Sequence, residues 1–583
     1  MSSHSDKYAN VLRLLVSAFG SYYRSLIFIV VLGFFASVLE GLGISAIIPL
    51  FSFVTGGGGF ATDTVTRVFS TIFAFVGLPY TFRYLLFFVG TLFIVRILAL
   101  FAIQNVTARI VFGYERDMRE RIFTATVKSN WPFLSTQKVG HLDQILITNT
   151  ITTAAFFGIF STAVLIITKT IAYIVIAFNI SHIIAFLSFI VGAALFFALQ
   201  PLFRMNKNTS TEAERLNRSL AHFASQNVSG MKSVKSAGVE ESVSKESSYY
   251  FETIRKVHVN IATIRGLLEM GIQFAGLAFV AGVFAYMYRM PGFNFASFAV
   301  IVYAVNQIFM QIQMAQVQLN ALSGMLPYLS KARSYQDEAE TNAESTGGIN
   351  SATIAEGIEF RNVSFSYPRR GEVLSDISFS VKQGQIVAIV GPSGVGKSTV
   401  ADLLLRLIEP ASGTVLADGK DIRTVSLREW RKTIGYIPQD PFLLNDSIRN
   451  NIAFYDSELP LEAIIDSAKR ANIHEFIESL PHGYDTHIGD RGVFVSGGQR
   501  QRIVLARLLA RKPKVLILDE ATSALDPESE RAIIRSIENL RGEVTIFIIA
   551  HGGEMQSSAD VAITLSGGRV VSVADSPSAR GRI

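Results

Sequence analysis

The run Gly391-Pro392-Ser393-Gly394-Val395-Gly396-Lys397-Ser398, continued by Thr399, has the spacing G-x-x-x-x-G-K-[ST]. It follows the apolar run Gln385–Val390, expected as a buried strand, and opens into Thr399–Ile408, whose apolar spacing is helical. A glycine-rich loop between a strand and a helix is the setting in which this pattern cradles phosphates. Glycines let the backbone curl around the anion, and the unpaired N–H groups at a helix start point toward it. Lys397 would reach the terminal phosphates, and the Ser398 hydroxyl would bind Mg²⁺.

Further positions suit the same chemistry. Lys514-Val515-Leu516-Ile517-Leu518-Asp519-Glu520 places two carboxylates at the C-terminal end of an apolar strand, where ligands of α/β sheets bind. Asp519 would hold the metal, and Glu520 would take the proton from an attacking water. Gln439 closes the run Ile434–Gln439 and could ligate Mg²⁺ while sensing the γ-phosphate. His551 follows a second strand, Val544–Ala550, and is either a structural histidine or a hydrogen-bond partner for the γ-phosphate. Tyr367, ahead of the loop, is either packing or a platform for adenine. Ser496-Gly497-Gly498-Gln499, preceded by Val495, is a second glycine-rich helix start. One nucleotide needs only one cradle, so the second implies two chains, each offering this helix start to the nucleotide held by the other.

With these residues in place, the stretch from about 357 to 575 resembles the nucleotide-binding domain of ABC transporters. Ser496-Gly497-Gly498-Gln499 matches the family's signature sequence, with Val495 where many members have Leu. Ser523-Ala524-Leu525-Asp526 matches its D-loop, and Tyr367, Gln439 and His551 match its adenine-stacking, Q-loop and switch-histidine positions. The resemblance implies an α/β P-loop ATPase with ATP and Mg²⁺ as cofactors. It also implies a homodimer, or a pair with a closely related half-transporter, sandwiching two ATPs. The complete catalytic set favours the homodimer. Asp490 lies where exporters carry an acidic contact to the cytoplasmic loops of the membrane domain, a position more often Glu.

The elements that must position these residues divide by composition. Of 583 residues 49% are hydrophobic and 17% charged, against a typical charged share of about 25%, and the mean hydropathy is +0.36. The deficit of charge lies in residues 24–330, while 355–583 has soluble composition. Six candidate membrane spans follow: Ser25–Val54, Thr81–Ile103, Ala154–Ile180, Ile183–Leu202, Ile261–Tyr288 and Phe295–Met325. The third and fourth are separated by an expected tight turn at Asn179–His182. The predicted fold class is multidomain: an all-α six-helix transmembrane domain (1–330), a linker (331–356) and an α/β P-loop ATPase domain (357–583).

The net charge of +6 concentrates in loops between spans. Ala108–Asp143 holds Arg109, Arg116, Arg119, Arg121, Lys128 and Lys138, and Arg204–Lys256 holds nine Lys or Arg. That is the positive-inside pattern of a multi-pass protein whose ATPase domain is cytoplasmic, in a bacterial inner membrane; no nucleic-acid partner is expected. The absence of cysteine excludes disulfides, thiol nucleophiles and cysteine-ligated metals. The polar N-terminus shows no cleavable signal, so the first span is expected to act as an uncleaved one.

Within the membrane half, Thr64–Val76 after Gly56–Gly59 reads as either an amphipathic surface helix or a cap on the bundle. The loop tips Asn130–Leu142 and Ser229–Glu240 are expected to dock on the ATPase, inert turns being the alternative. Ionisable residues inside spans are costly and face a partner or water. Arg265 and Glu269, spaced i,i+4, are either a local ion pair or part of a site. Arg96 and Lys169 are expected to line a polar cavity for an anionic headgroup, with Arg265 as a third candidate, interhelical pairing being the alternative. Gln307, Gln311 and Gln318 share one face of the last span and line either a translocation path or the helix's exit from the bilayer. Leu39–Leu50 resembles bacterial flippases of lipid-linked oligosaccharides. The expected function is ATP-driven export or flipping of an amphipathic, lipid-like substrate. Multidrug or peptide export is the alternative, and an ATP-gated channel or regulator a further one.

Overall fold

The computed structural model describes residues 20–54, 64–137, 140–180, 182–288, 295–345, 347–348, 353–367, 371–489, 492–521, 525–550 and 554–575. The chain divides into two units, Met1–Ala125 with Lys138–Glu338, and Thr126–Gln137 with Ala339–Ile583.

The first unit is helical. Among the described residues, five helices are long and apolar enough to cross a membrane, within Gly20–Val54, Phe82–Lys128, His141–Asn179, Glu240–Tyr286 and Phe298–Gln318. The remaining expected span lies in the 48-residue helix His182–Ser229. Backbone groups in hydrocarbon have no water to bond, so only continuous helices satisfy them over such lengths. Phe87 and Phe101 are 76% and 63% exposed, as suits side chains dissolved in hydrocarbon. Several helices run on into polar sequence, Phe82–Lys128 over 47 residues and Glu240–Met287 over 48. Around the expected turn between the third and fourth spans, the helices are Phe156–Ile180 and His182–Ser229, with residue 181 outside the described residues.

The last helix, Phe295–Thr341, corrects one expectation. The linker placed at 331–356 begins inside it, because the charged run to Thr341 is made of good helix formers that continue the turn pattern. Helix Thr64–Val76 packs on the bundle, as the cap reading expects. Phe69 and Phe73 are buried against Ala46 and Leu85, while Phe75 and Val76 stand 92% and 59% exposed on its outer edge. Gly56–Gly59 lie outside the described residues.

The second unit is α/β. Its six-stranded sheet has the order β10-β9-β3-β8-β7-β6, built from β3 (Ile386–Val390), β6 (Ile434–Ile437), β7 (Val515–Asp519), β8 (Thr545–Ile549), β9 (Val561–Ser566) and β10 (Arg569–Asp575). All neighbours are parallel except β9 and β10. Strand residues alternate between two cores, as a sheet covered on both faces requires. Ile386, Leu516, Leu518, Ile546 and Ile548 enter one core; Val387, Ile389, Val515, Ile517, Phe547 and Ile549 enter the other. A separate antiparallel sheet has the order β2-β1-β4-β5, from β1 (Gly357–Tyr367), β2 (Gly371–Lys382), β4 (Ser412–Ala417) and β5 (Lys420–Asp421). The first loop tip belongs to this unit. It forms the helix Trp131–Thr136, whose N-terminal cap is the Asn130 side chain accepting from the Phe133 N–H at 3.0 Å. The other tip, helix Met231–Ala237 in the first unit, buries no residue.

Candidate functional site

The phosphate loop follows β3 and feeds the helix Lys397–Leu404. Its curl needs glycine at two positions in particular. Gly391 (φ +155°) would drive a Cβ to 2.3 Å from the Leu565 carbonyl oxygen, and Gly396 (φ +104°) to 2.7 Å from Leu374 Cδ2. The loop residues Pro392, Ser393, Gly394 and Val395 sit between these two points. Lys397 is buried and its Nζ donates to the Gly391 and Pro392 carbonyls at 2.8 and 3.0 Å. Burial pulls its pKa below the ordinary lysine value, and the Glu520 and Asp519 charges oppose that shift. Ser398 and the buried Thr399 open the helix.

Asp519 ends β7, buried, and gathers two hydroxyls: Ser398 Oγ donates to Oδ1 and Tyr436 OH to Oδ2, both at 3.3 Å. Burial raises its pKa, and those two hydrogen bonds and Lys397 pull the other way. Glu520 follows with φ +49°, a conformation that a non-glycine residue adopts at a cost, and its N–H donates to the Ile549 carbonyl at 2.9 Å. Its carboxylate accepts from Gln439 Nε2 at 2.9 Å. Lys397, Ser398, Gln439, Asp519 and Glu520, which sequence reasoning singled out separately, therefore form one cluster. The oxygen set of Ser398, Gln439 and Asp519 fits a hard cation that would share its shell with phosphates.

Two members of this cluster had not been anticipated. Tyr436 sits inside the apolar strand β6, where its hydroxyl is the one polar tip; burial, with Asp519 second, raises its pKa. Asp402 lies on the phosphate-loop helix, and burial, with Asp519 second, pushes its pKa up to about 6. An acidic residue interrupting Val400–Leu404 was the available signal.

Tyr367 ends β1, half-buried and edge-on to Phe365 at 4.8 Å between ring centres. His551, the D-loop residues Ser523 and Ala524, and Asp490 lie outside the described residues.

The second glycine-rich helix start is Ser496, the cap of Gly497–Leu509. The Ser496 hydroxyl accepts from the Gln499 N–H, and the Gln499 side chain accepts from the Ser496 N–H at 2.8 Å, a complete capping box. Gly498 admits no side chain, since a Cβ would lie 2.3 Å from Ser529 Oγ. Ser529 is in turn held by Asp526, which caps the helix Pro527–Glu538 through the Ser529 N–H at 2.9 Å. Asn472, Ser496, Gln499, Arg502, Asp526 and Ser529 line a polar cleft of about 710 Å³ that contains no phosphate-loop residue among those described. Within one chain, the two glycine-rich helix starts serve separate surfaces.

The membrane charges are arranged differently from the expected headgroup cavity. Glu40, 6% exposed, collects Arg96 Nη2 at 2.9 Å and the Tyr173 hydroxyl at 2.8 Å on Oε1, with Lys169 Nζ at 3.5 Å from Oε2. Arg96 and Lys169 are therefore paired across helices, because a carboxylate buried in a span is tolerable only with partners. Arg265 is not part of this group; it stands exposed on Glu240–Met287, and it makes no ion pair with Glu269 among the described residues. In the last span Gln311 is 5% exposed, which sets it apart from the half-buried Gln307 and Gln318.

Residues 374–523 match the family model described as ABC transporter. YgaD of Bacillus subtilis (strain 168), an ATP-binding/permease protein named for multidrug export, is 45% identical over 226 residues, 39% of each chain. The heterocyst differentiation ATP-binding protein HepA of Nostoc sp. (strain PCC 7120) is 31% identical over 406 residues, 68% of this chain and 66% of HepA. A solved structure of a bacterial Atm1-family ABC exporter with ATP bound aligns with TM-score 0.74 and 24% identity, over 96% of this chain and 95% of that one. The chain spans between 16% and 66% of the length of the curated relatives it matches.

Proposed function

The chain belongs to the ABC transporters and has the build of an exporter-type half-transporter, and from that premise we propose that it hydrolyses ATP to drive export of an amphipathic substrate. The observation that carries this is the joining of two things in one chain. Lys397, Ser398, Asp519 and Glu520 form a phosphate-handling cluster, and the same chain holds at least five membrane-length helices.

In the proposed cycle, Lys397 and the loop N–H groups bind the phosphates, and Ser398, Asp519 and Gln439 would hold Mg²⁺. When bound, the metal neutralises charge on the phosphates. Glu520 takes the proton of the attacking water, oriented by Gln439. Ser496 and Gln499 complete the site from a second copy of the chain, because their cleft is separate from the loop of their own chain. A closely related half-transporter could take the second copy's place. The closed dimer binds ATP better than the open one, and that difference shifts the population of states.

The substrate we propose is a lipid or lipid-linked oligosaccharide with an anionic headgroup. Supporting it, Arg96 and Lys169 carry two positive charges against the single negative charge of Glu40, so the cluster keeps an attraction for an anion inside the span. Multidrug export is the second reading, favoured by the name of YgaD; that likeness covers 39% of this chain. The test is reconstitution in lipid vesicles with ATP. Expected is ATP-dependent movement of a fluorescent anionic lipid, absent in Glu520→Gln and reduced in Arg96→Gln/Lys169→Gln. Movement of hydrophobic dyes alone would transfer the assignment to drug export, and absence of ATP hydrolysis would refute the ATPase itself.

A further inference from the structure

Two helices that begin in the membrane unit end side by side within the ATPase unit. Phe82–Lys128 stops at Lys128 and Phe295–Thr341 at Thr341. Directly beyond them the chain pairs with itself. The Asn130 N–H donates to the Asn342 carbonyl at 2.7 Å, the Glu344 N–H donates to the Lys128 carbonyl at 2.8 Å, and Ser129 faces Ala343 in an antiparallel bridge. None of these residues is among those assigned above to the nucleotide.

Glu344 then reaches Arg431. Arg431 grips its carboxylate with both arms of the guanidinium, Nη1 to Oε2 and Nη2 to Oε1, each at 2.8 Å. The same guanidinium donates Nε to the Leu405 carbonyl at 3.1 Å and Nη2 to the Arg406 carbonyl at 3.0 Å. Its neighbour Trp430, fully buried, donates Nε1 to the Leu404 carbonyl at 2.7 Å. Those three carbonyls lie at the C-terminal end of the helix Lys397–Leu404, whose first residue is the phosphate-binding Lys397. Helix carbonyls at that end have no partners of their own, so Trp430 and Arg431 supply them. The helix is short and stiff, and a displacement at its phosphate end is felt at its other end.

We propose that Glu344 and Arg431 form a coupling pair, carrying the state of the phosphate-loop helix to the ends of two membrane-unit helices within the same chain. The proposal rests on the ATP-driven reading above. A guanidinium–carboxylate fork suits the task because it fixes direction and register, where an apolar contact would slide. The two side chains are 31% and 23% exposed. A pair that wet adds little to folding, so its removal acts on transmission more than on stability. Glu344 is a positioning residue; it touches no reacting atom.

The chain's only two tryptophans, Trp131 and Trp430, flank this junction and serve as reporters. The experiment uses the full chain in lipid nanodiscs, as wild type, Glu344→Ala, Glu344→Gln and Glu344→Asp, each with and without Trp131→Phe. The difference between members of a pair isolates the Trp131 signal. Binding of a fluorescent ATP analogue, ATP-induced change in Trp131 emission, ATPase rate and melting temperature are measured together. Expected for Glu344→Ala and Glu344→Gln is near-wild-type nucleotide affinity and melting temperature, with the Trp131 response and ATPase reduced at least about fivefold. Glu344→Asp, which keeps the charge, recovers part of both. A full Trp131 response in Glu344→Ala overturns the proposal, and so does a loss matched by equal losses of affinity and melting temperature, which marks a structural role. A wild type that binds ATP and responds upholds the ATP-driven reading whatever the variants do; one that does neither overturns both.

Discussion

The two units hold their buried or half-buried cations in opposite ways. Lys397 rests on two neutral carbonyls of its own loop, Gly391 and Pro392, while Arg96 and Lys169 converge on one carboxylate, Glu40. A carbonyl is a partner that a charged ligand easily outcompetes; a buried carboxylate is not, because leaving it bare is expensive. An anion can displace those carbonyls from Lys397, while Arg96 and Lys169 share one carboxylate and keep one positive charge in excess. The lesson is that a cation in a cleft marks a binding site only once its resting partner is known.

The comparison can be broken most forcefully at Glu520. Glu520→Gln keeps the hydrogen-bonding shape and removes the carboxylate proposed as the base, so ATPase turnover is expected to fall by about 10²- to 10⁴-fold while ATP still binds. Steady-state phosphate release checks this, and retention of half the rate would remove Glu520 from its assigned role. The membrane cluster is next. Glu40→Gln strands two cations and destabilises the membrane unit by about 3–5 kcal/mol. Lys169→Ala, removing the more distant and more exposed partner, costs about 1 kcal/mol or less. Thermal unfolding in detergent ranks the two, and equal costs would mean that Glu40 does not anchor the group.

Smaller effects sharpen the ATPase side. Tyr436→Phe removes one of two hydroxyls on Asp519 and is expected to cost about 1 kcal/mol, a several-fold loss in ATPase. A Mg²⁺ titration of the ATPase rate tests it, and an unchanged curve would leave Tyr436 as packing. Asp402, with its pKa pushed up to about 6, is destabilising when ionised. Its folded-state pKa lies above the unfolded value, so the penalty is present above pH 6 and disappears as pH falls toward 4. Asp402→Asn should therefore raise the stability of the ATPase unit by about 1 kcal/mol at pH 7.5, solvent access having reduced the larger value implied by the shift, and leave it unchanged near pH 4. A melting curve without Mg²⁺ at both pH values decides; equal gains at both would trace the effect to packing.

Much of the ATPase cluster was legible because its parts are local. The phosphate loop, the strand ending in Asp519 and Glu520, and Ser496–Gln499 each depend on a few consecutive residues and on the glycines that allow their turns. The membrane spans were legible for a similar reason, since twenty apolar residues in a row suit hydrocarbon wherever they occur. What escaped was long-range and side-chain specific. Tyr436 reaches Asp519 across 83 positions, and Arg431 reaches Glu344 across 87. The linker expected from 331 was misplaced because charge alone does not end a helix.

The amino-acid sequence by itself determined that this chain would hold a phosphate cradle on a parallel sheet and a set of apolar helices. Both follow from backbone conformation and from the solvent each segment prefers, which are properties of short stretches. Only the tertiary structure decided which charges answer one another. It gave Glu40 to Arg96 and Lys169, Asp519 to Ser398 and Tyr436, and Glu344 to Arg431. Pairing depends on distances of a few ångströms between residues far apart in the chain, and no spacing along a sequence encodes those distances.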